Sequence, residues 1–165
     1  MERETTLCFT GHRPEKICTP FDEASPFINE VKHQLQARIL AAVDQGYTTF
    51  LCGMARGADI WAGEIIANLW EPFRELELVA VLPFPGQADG WAADWAMRHR
   101  RLLHYCSQVI TVENAYGRDS YLKRNRYLVN HSSRLIGVCR SEEGGTGYTI
   151  RYARSKGLEL DLIRL

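Results

Sequence analysis

TFLCGMARGAD, residues Thr49–Asp59, changes character at Gly53. A short apolar, β-favouring run stops at a glycine-bracketed bend, and the chain resumes at Ala58 with helical spacing. Gly53 and Gly57 enclose a tight strand-to-helix turn that also holds Met54 and Arg56. Asp59 falls in the first helical turn, where a carboxylate complements the helix dipole or accepts ribose hydroxyls. Two other segments share this layout: LCFT ahead of Gly11-His12-Arg13-Pro14, and LIGVC ahead of Arg140 and Gly144-Gly145-Thr146-Gly147. If all three runs are parallel strands, their bends lie on one edge of one sheet. Glycine lets the backbone approach a ligand closely, and the helix after each bend directs free N–H groups at it. Such an edge suits an anion, above all the phosphates of a nucleotide.

Outward from these bends, strand-length apolar runs alternate with helical patterns. Thr5–Thr10, Thr48–Cys52, Glu77–Leu82, Gln108–Val112, Leu135–Cys139 and Leu158–Ile163 read as strands. Ser25-Pro26 reads as an N-cap with proline at the first helical position. Ile28, Val31, Leu35, Ile39 and Ala42 then recur at helical spacing up to a stop at Gly46. Further helices are expected from Ala58 to about Trp70, after an Asp89 cap, from about Tyr121 to His131, and over Thr146–Lys156. Pro14, Pro20 and Pro26 mark a long loop after the first strand. Alternating βα units with continuous apolar strands imply α/β architecture. The expected fold is a three-layer Rossmann-like one, with a mainly parallel, doubly wound sheet of five to six strands and helices on both faces. With no repeat or linker, residues 1–165 read as one domain.

Hydrophobic residues make up 45% and charged residues 24% of the chain, as in ordinary globular domains. Lys+Arg and Asp+Glu both number 20. That balance argues against indiscriminate binding to nucleic acid or membranes, which favour basic surfaces, and leaves room for a local patch. The five cysteines have neither CxxC nor metal-ligand spacing and read as free thiols in a reducing cytoplasm; no metal is indicated. The N-terminus lacks a signal-peptide layout, and no apolar stretch approaches the ~20 residues of a membrane span.

The candidate ligand-binding residues follow from the bends. His12 and Arg13 offer donors for phosphate, Arg13 with a planar fork and His12 also as a proton carrier. Gly144, Gly145 and Thr146 open the last long helix as a phosphate cradle, although Glu142 and Glu143 just before it repel an anion unless they point away. Pro83 and Phe84, with Trp91 beyond them, supply apolar surface for stacking a base. Arg124 and Asn125, with Tyr116 and Tyr121, close the crevice from the opposite side. Arg98-His99-Arg100-Arg101 reads mostly as a solvated helix face, and Glu64 as a surface or supporting residue.

FTGHRPEK, GMARGADIWAGE, LPFPGQ, RNRYLVNHS and GGTGYTIRYA, in this order and spacing, resemble the YpsA-like branch of the SLOG superfamily, from about Leu7 to Gly157. SLOG groups Rossmann-like domains similar to the LOG phosphoribohydrolases and the DprA/Smf proteins. The resemblance implies a pocket for nucleotides or nucleotide-derived ligands such as ADP-ribose. LOG-type hydrolases carry PGGxGTxxE, whose glutamate serves hydrolysis of the N-glycosidic bond. Here Glu143 replaces the proline, Tyr148 the threonine, and Ile150-Arg151 stand at the acidic positions. The catalytic glutamate is thus not matched, and Asn130 stands where the branch often has an acid.

Three functions compete at this stage. The leading one is a sensor or regulatory module that binds a nucleotide derivative, needs no cofactor and is free to pair with a second copy through flanking helices. The second is a nucleotide N-glycosidic-bond hydrolase with Asp59, Glu113 or His12 as acid–base candidates. The third, single-stranded DNA binding by analogy with DprA, is placed last because of the neutral charge.

Overall fold

Side chains along the first strand divide between two cores. Leu7 and Phe9 face a 25-residue cluster, while Cys8 between them faces a second cluster of 11 residues. The same alternation sends Phe50, Cys52, Leu78, Ala80 and Leu82 to the first core and Leu51, Val79 and Val81 to the second. A strand buried on both faces explains the uninterrupted apolar runs in the sequence.

The computed structural model describes all 165 residues, Met1–Leu165. Six strands form one sheet: β1 (Thr6–Gly11), β2 (Thr49–Cys52), β3 (Glu77–Leu82), β4 (Gln108–Thr111), β5 (Arg134–Cys139) and β6 (Glu159–Arg164). Their order is β4-β3-β2-β1-β5-β6, and every pairing is parallel. Six helices connect them: α1 (Pro14–Ile17), α2 (Pro26–Asp44), α3 (Ala58–Leu69), α4 (Ala93–Tyr105), α5 (Ser120–Asn130) and α6 (Gly144–Ser155). The first core takes its helical residues from α1, α2, α3 and α4, and the second from α5 and α6. The expected three-layer, doubly wound architecture is therefore what forms, with an all-parallel sheet. None of the helices is long and apolar enough to cross a membrane.

Local chemistry sets the element ends. Ser25 accepts the Ile28 amide at 3.3 Å as the N-cap of α2, Pro26 follows, and the predicted stripe from Ile28 to Ala42 is buried. Each such aliphatic side chain contributes roughly 1.5–3 kcal/mol by leaving water. Asp89 does not cap α4, contrary to the sequence reading. Gly86 and Gly90 both adopt positive φ, the Asp89 amide turns back to the Gly86 carbonyl at 3.0 Å, and α4 starts only at Ala93. The proline-rich loop also contains the one-turn helix α1, opened by Pro14 at its first position.

Arg98 is not a solvated residue. It donates to both oxygens of Glu64 at 2.7 and 2.8 Å and to both oxygens of Glu23 at 3.0 and 2.8 Å, and it lies 4.4 Å over the Trp95 ring. Glu23 also accepts from the Trp61 indole N–H. These contacts fasten the segment between α1 and α2 to α3 and α4. Removing one partner of a buried pair costs about 3–5 kcal/mol, and partial exposure of both carboxylates lowers that. Arg98→Met is expected to lose about 2 kcal/mol in urea unfolding; a loss below about 0.5 kcal/mol would show that the network contributes little.

The order of the strands fixes where a ligand belongs. From β1 the chain winds one way through β2, β3 and β4, then returns across the sheet to place β5 on the other side of β1. The switch point lies between the carboxyl ends of β1 and β5, where α/β sheets of this kind open a crevice.

Candidate functional site

The first wall of that crevice leaves β1. The His12 amide extends the ladder by donating to Val138 at 3.1 Å. A Cβ on Gly11 would overlap the Ala58 side chain, so only glycine lets the end of β1 meet the start of α3 here. Arg13 then caps α1, whose single turn projects Glu15 and Lys16 into the crevice. Glu15 is held by Arg56 at 3.0 Å. The Lys16 ammonium stands 3.4 Å from where a Cβ on Gly144 would be, over the start of α6.

The second wall follows β2. Met54 is fully buried at φ 60°, unusual for a residue with a side chain, and Gly57 turns at φ 93° and ψ −126° before α3. Asp59 folds back so that its carboxylate accepts the Ala55 amide at 3.2 Å. Burial pushes this carboxyl up to about 6, against the opposing pull of the Arg124 guanidinium. Arg124 comes from α5 and is 5% exposed. It donates to the Gly53 carbonyl and, at 2.8 Å, to the Asn125 side chain. Burial lowers the pKa of Arg124, opposed by the nearby Asp59 carboxylate. Gln87 donates to the same Gly53 carbonyl at 3.0 Å, and its amide oxygen faces His99 Nε2 at 3.1 Å. The Gly53 carbonyl is thus clamped by α5 and by the turn between β3 and α4, which aims Arg124.

The third wall is the start of α6. Glu143 sits at the N-cap but makes no capping hydrogen bond with its side chain, so the first-turn amides stay available to a ligand. Glu142 turns outward to Arg154 at 3.0 Å and Arg164 at 3.3 Å. Half of the repulsion anticipated from this acidic pair is thereby removed; Glu143 remains at the rim.

Together these walls enclose a cavity of about 270 Å³. Among the residues expected from sequence, Gly11, His12, Arg13, Asp59, Arg124, Asn125, Gly145 and Thr146 line it. Gly53, Met54, Arg56, Gly57 and Gly144 build its walls without lining it. Pro83, Phe84 and Trp91 do not reach it. Trp91 packs edge-on against His99 at 5.3 Å, and Phe84 lies behind Tyr121 at 5.6 Å. Two aromatic residues line the cavity, the buried Phe9 and the more open Tyr121, whose ring is 5.6 Å from the Arg13 guanidinium and 5.8 Å from that of Arg124. Tyr121 thus stands at the crevice as the sequence suggested, whereas Lys16 and Thr10 line the cavity without having been singled out from the sequence. Lys16 lies in the FTGHRPEK segment, only three residues beyond Arg13, and its basic charge was the available signal. His12 is buried in the wall, and burial with Lys16 and Arg140 nearby holds its pKa below the usual value.

The neutral total charge conceals an uneven distribution. Between Ser120 and Leu158 eight Lys and Arg residues face two acids, whereas the first 119 residues carry eleven against sixteen. The expectation that nucleic acid is disfavoured, drawn from the total, therefore does not hold for the α5–α6 side of the molecule.

An all-parallel Rossmann-like sheet with an open cavity at its switch point defines the structural class. Within it, the profile of the YspA SLOG family matches residues 7–162, and the chain belongs to that family. UPF0398 proteins of Bacillus thuringiensis (strain Al Hakam) and Bacillus cereus (strain AH187) are each 23% identical over 154 residues, covering 92% of this chain and 83% of theirs. DNA processing protein A from Helicobacter pylori, whose structure concerns its single-stranded DNA binding mode, superposes with a TM-score of 0.65 at 15% identity. The match covers 97% of this chain and 65% of that one, and it shows a shared fold.

Proposed function

We propose that the protein binds a nucleotide-derived anion of the ADP-ribose or NAD type at the sheet's carboxyl edge, as a sensor or regulatory module. The observation that carries this reading is convergence. Lys16, Arg13 and Arg124 meet the first-turn amides of α6 around one cavity, with the Tyr121 ring beside them. Backbone amides and cations serve the diphosphate, Asp59 accepts ribose hydroxyls, and Tyr121 provides a face for the base. A volume near the lower end of the usual 300–1,000 Å³ range suits phosphate and sugar, with the base at the open mouth.

Thermal unfolding with ADP-ribose, NAD and sulfate tests the reading. A ligand at one hundred times its Kd stabilises by about 2.7 kcal/mol, roughly 5–10 °C in a chain of this size. A shift with the nucleotides no larger than with sulfate overturns it. An oligonucleotide that displaces ADP-ribose at low salt would instead mark single-stranded DNA, which the Helicobacter pylori protein binds, as an occupant of the same edge.

The reading also fixes a pH dependence. The diphosphate diester of ADP-ribose keeps its charge across the neutral range, so changes in affinity report on the protein. Above about pH 6 the buried Asp59 carboxylate is ionised, and its repulsion of the diphosphate outweighs its stronger acceptance of ribose hydroxyls; below it the proton returns and the carboxyl still accepts through its carbonyl oxygen. Protonation of His12, displaced to lower pH, adds attraction in the same direction. Affinity is therefore expected to rise about tenfold as pH falls from 8 to 5.5. In calorimetric titrations Asp59→Asn should flatten the part of the curve around pH 6. An affinity independent of pH in the wild type contradicts the assignment.

One observation favours a second reading, hydrolysis of an N-glycosidic bond. A carboxyl that holds its proton to about pH 6 beside a sugar-sized cavity has the properties of a general acid. Glu113 is tied to Lys123 and does not line the cavity, and Ile150 is buried in the second core, so of the acid–base candidates read from the sequence Asp59 and His12 remain at the cavity. Free base released from nucleoside monophosphates, and abolished by Asp59→Asn, would establish it; nucleotides recovered intact after prolonged incubation dispose of it.

A further inference from the structure

We propose that the outer seam between α5 and α6 is a binding surface for single-stranded nucleic acid, separate from the cavity. The two helices run side by side in the same direction. Arg126 on α5 donates to the Tyr148 hydroxyl, and four residues further along each helix the Tyr152 hydroxyl donates to Asn130 at 2.9 Å. These rungs align Tyr148 and Tyr152 with ring planes only 5° apart and centroids 6.1 Å apart. The exposed Arg126 guanidinium lies 5.7 and 5.9 Å from the two rings, and the Lys156 ammonium lies 5.5 Å from the second.

Charge selects the partner. Helices α5 and α6 carry no Asp or Glu, and apart from Arg124, which is buried at the cavity, they present Lys123, Arg126, Arg151 and Arg154. Lys123 and Arg154 reach acids outside the helices, Glu113 and Glu142. Arg126 has no carboxylate partner, and Arg151 donates only to the Glu142 backbone carbonyl. A cationic strip of this kind complements a polyanion. The half-buried tyrosine rings add a preference for one with free π-faces, because bases stack on aromatic side chains only when they are not enclosed in a duplex. α6, at twelve residues, spans about 18 Å, so the seam covers a few nucleotides starting beside the cavity mouth. This surface does not depend on what the cavity binds.

The test uses fluorescein-labelled twelve-residue oligo-dT and oligo-rU, with a twelve-pair duplex as comparison, in anisotropy titrations at 50 mM salt. The expected result is saturable binding of the single strands at least tenfold tighter than the duplex. Arg126→Ala should reduce the slope of log K against log salt by about 0.7, the loss of one phosphate contact on a single strand. Tyr152→Leu should weaken binding roughly five- to hundredfold, while Tyr152→Phe, which keeps the ring, retains it. Circular dichroism of each variant checks that the fold persists. The proposal is overturned if no single strand binds at 50 mM salt, or if the duplex binds as well. It is equally overturned if ADP-ribose displaces the strand while the seam variants bind as wild type does, because the strand then lies in the cavity.

Discussion

Replacing Arg124 with methionine is expected to weaken ADP-ribose binding at least a hundredfold. The guanidinium is buried, hydrogen-bonded to the Gly53 carbonyl and to Asn125, and set over Tyr121 beside Asp59. Truncating one partner of a buried, hydrogen-bonded charged contact costs about 2–5 kcal/mol, and a hundredfold corresponds to about 2.7 kcal/mol. Methionine keeps the apolar stem, so the loss reports on the charge and the fork rather than on packing. Arg124→Lys should recover only part of the affinity, because an ammonium cannot reproduce the forked contacts. A second readout accompanies the first. Without the cation, the Asp59 carboxyl should titrate above about 6, visible in a carboxyl-selective NMR titration. Unchanged affinity for ADP-ribose would remove Arg124 from the site.

Gly147→Ala is expected to destabilise the protein by about 3 kcal/mol or more and to abolish ligand binding with it. A Cβ at this position would overlap the backbone carbonyl group of Glu142. That backbone cannot move freely, because Arg151 donates to the same carbonyl and the Glu142 side chain is held by Arg154 and Arg164. Relief requires displacement of the segment that forms the α6 cradle. Gly145→Ala is the comparison. A Cβ there meets nothing within 4 Å, and alanine is up to about 1 kcal/mol better than glycine in a helix. Gly145→Ala should therefore keep or slightly raise stability while crowding a cavity-lining position. Urea unfolding and calorimetric titration of both variants separate the two effects. Equal stability of both variants would mean that the Glu142 segment is looser than its hydrogen bonds imply.

The fold was legible in the sequence where a local rule and the global architecture agree. The Ser25–Pro26 start, the stripe from Ile28 to Ala42 and the three glycine bends each rest on a few adjacent residues. What escaped was decided by long-range partners. The acid that holds Arg98 from outside α3 and α4, Glu23, lies 75 residues away, so a basic run looked merely solvated. Trp91 follows the third strand closely in sequence, but the turns at Gly86 and Gly90 carry it to His99, and Tyr121 from the far side of the sheet occupies the cavity instead. Net charge misled for a related reason: a sum over the chain carries no information about which layer each residue joins.

The central claim is that bends distant in sequence converge on one anion-accepting cavity, and amide NMR on titration with ADP-ribose tests it most directly. The account predicts that the amides of Gly11, Ala55, Gly145 and Thr146 shift together and saturate at one Kd. Gly46 and Gly157, at the opposite ends of α2 and α6, should not move. Shifts confined to one bend, or spread over Gly46 and Gly157 as much as over the cavity, would contradict it.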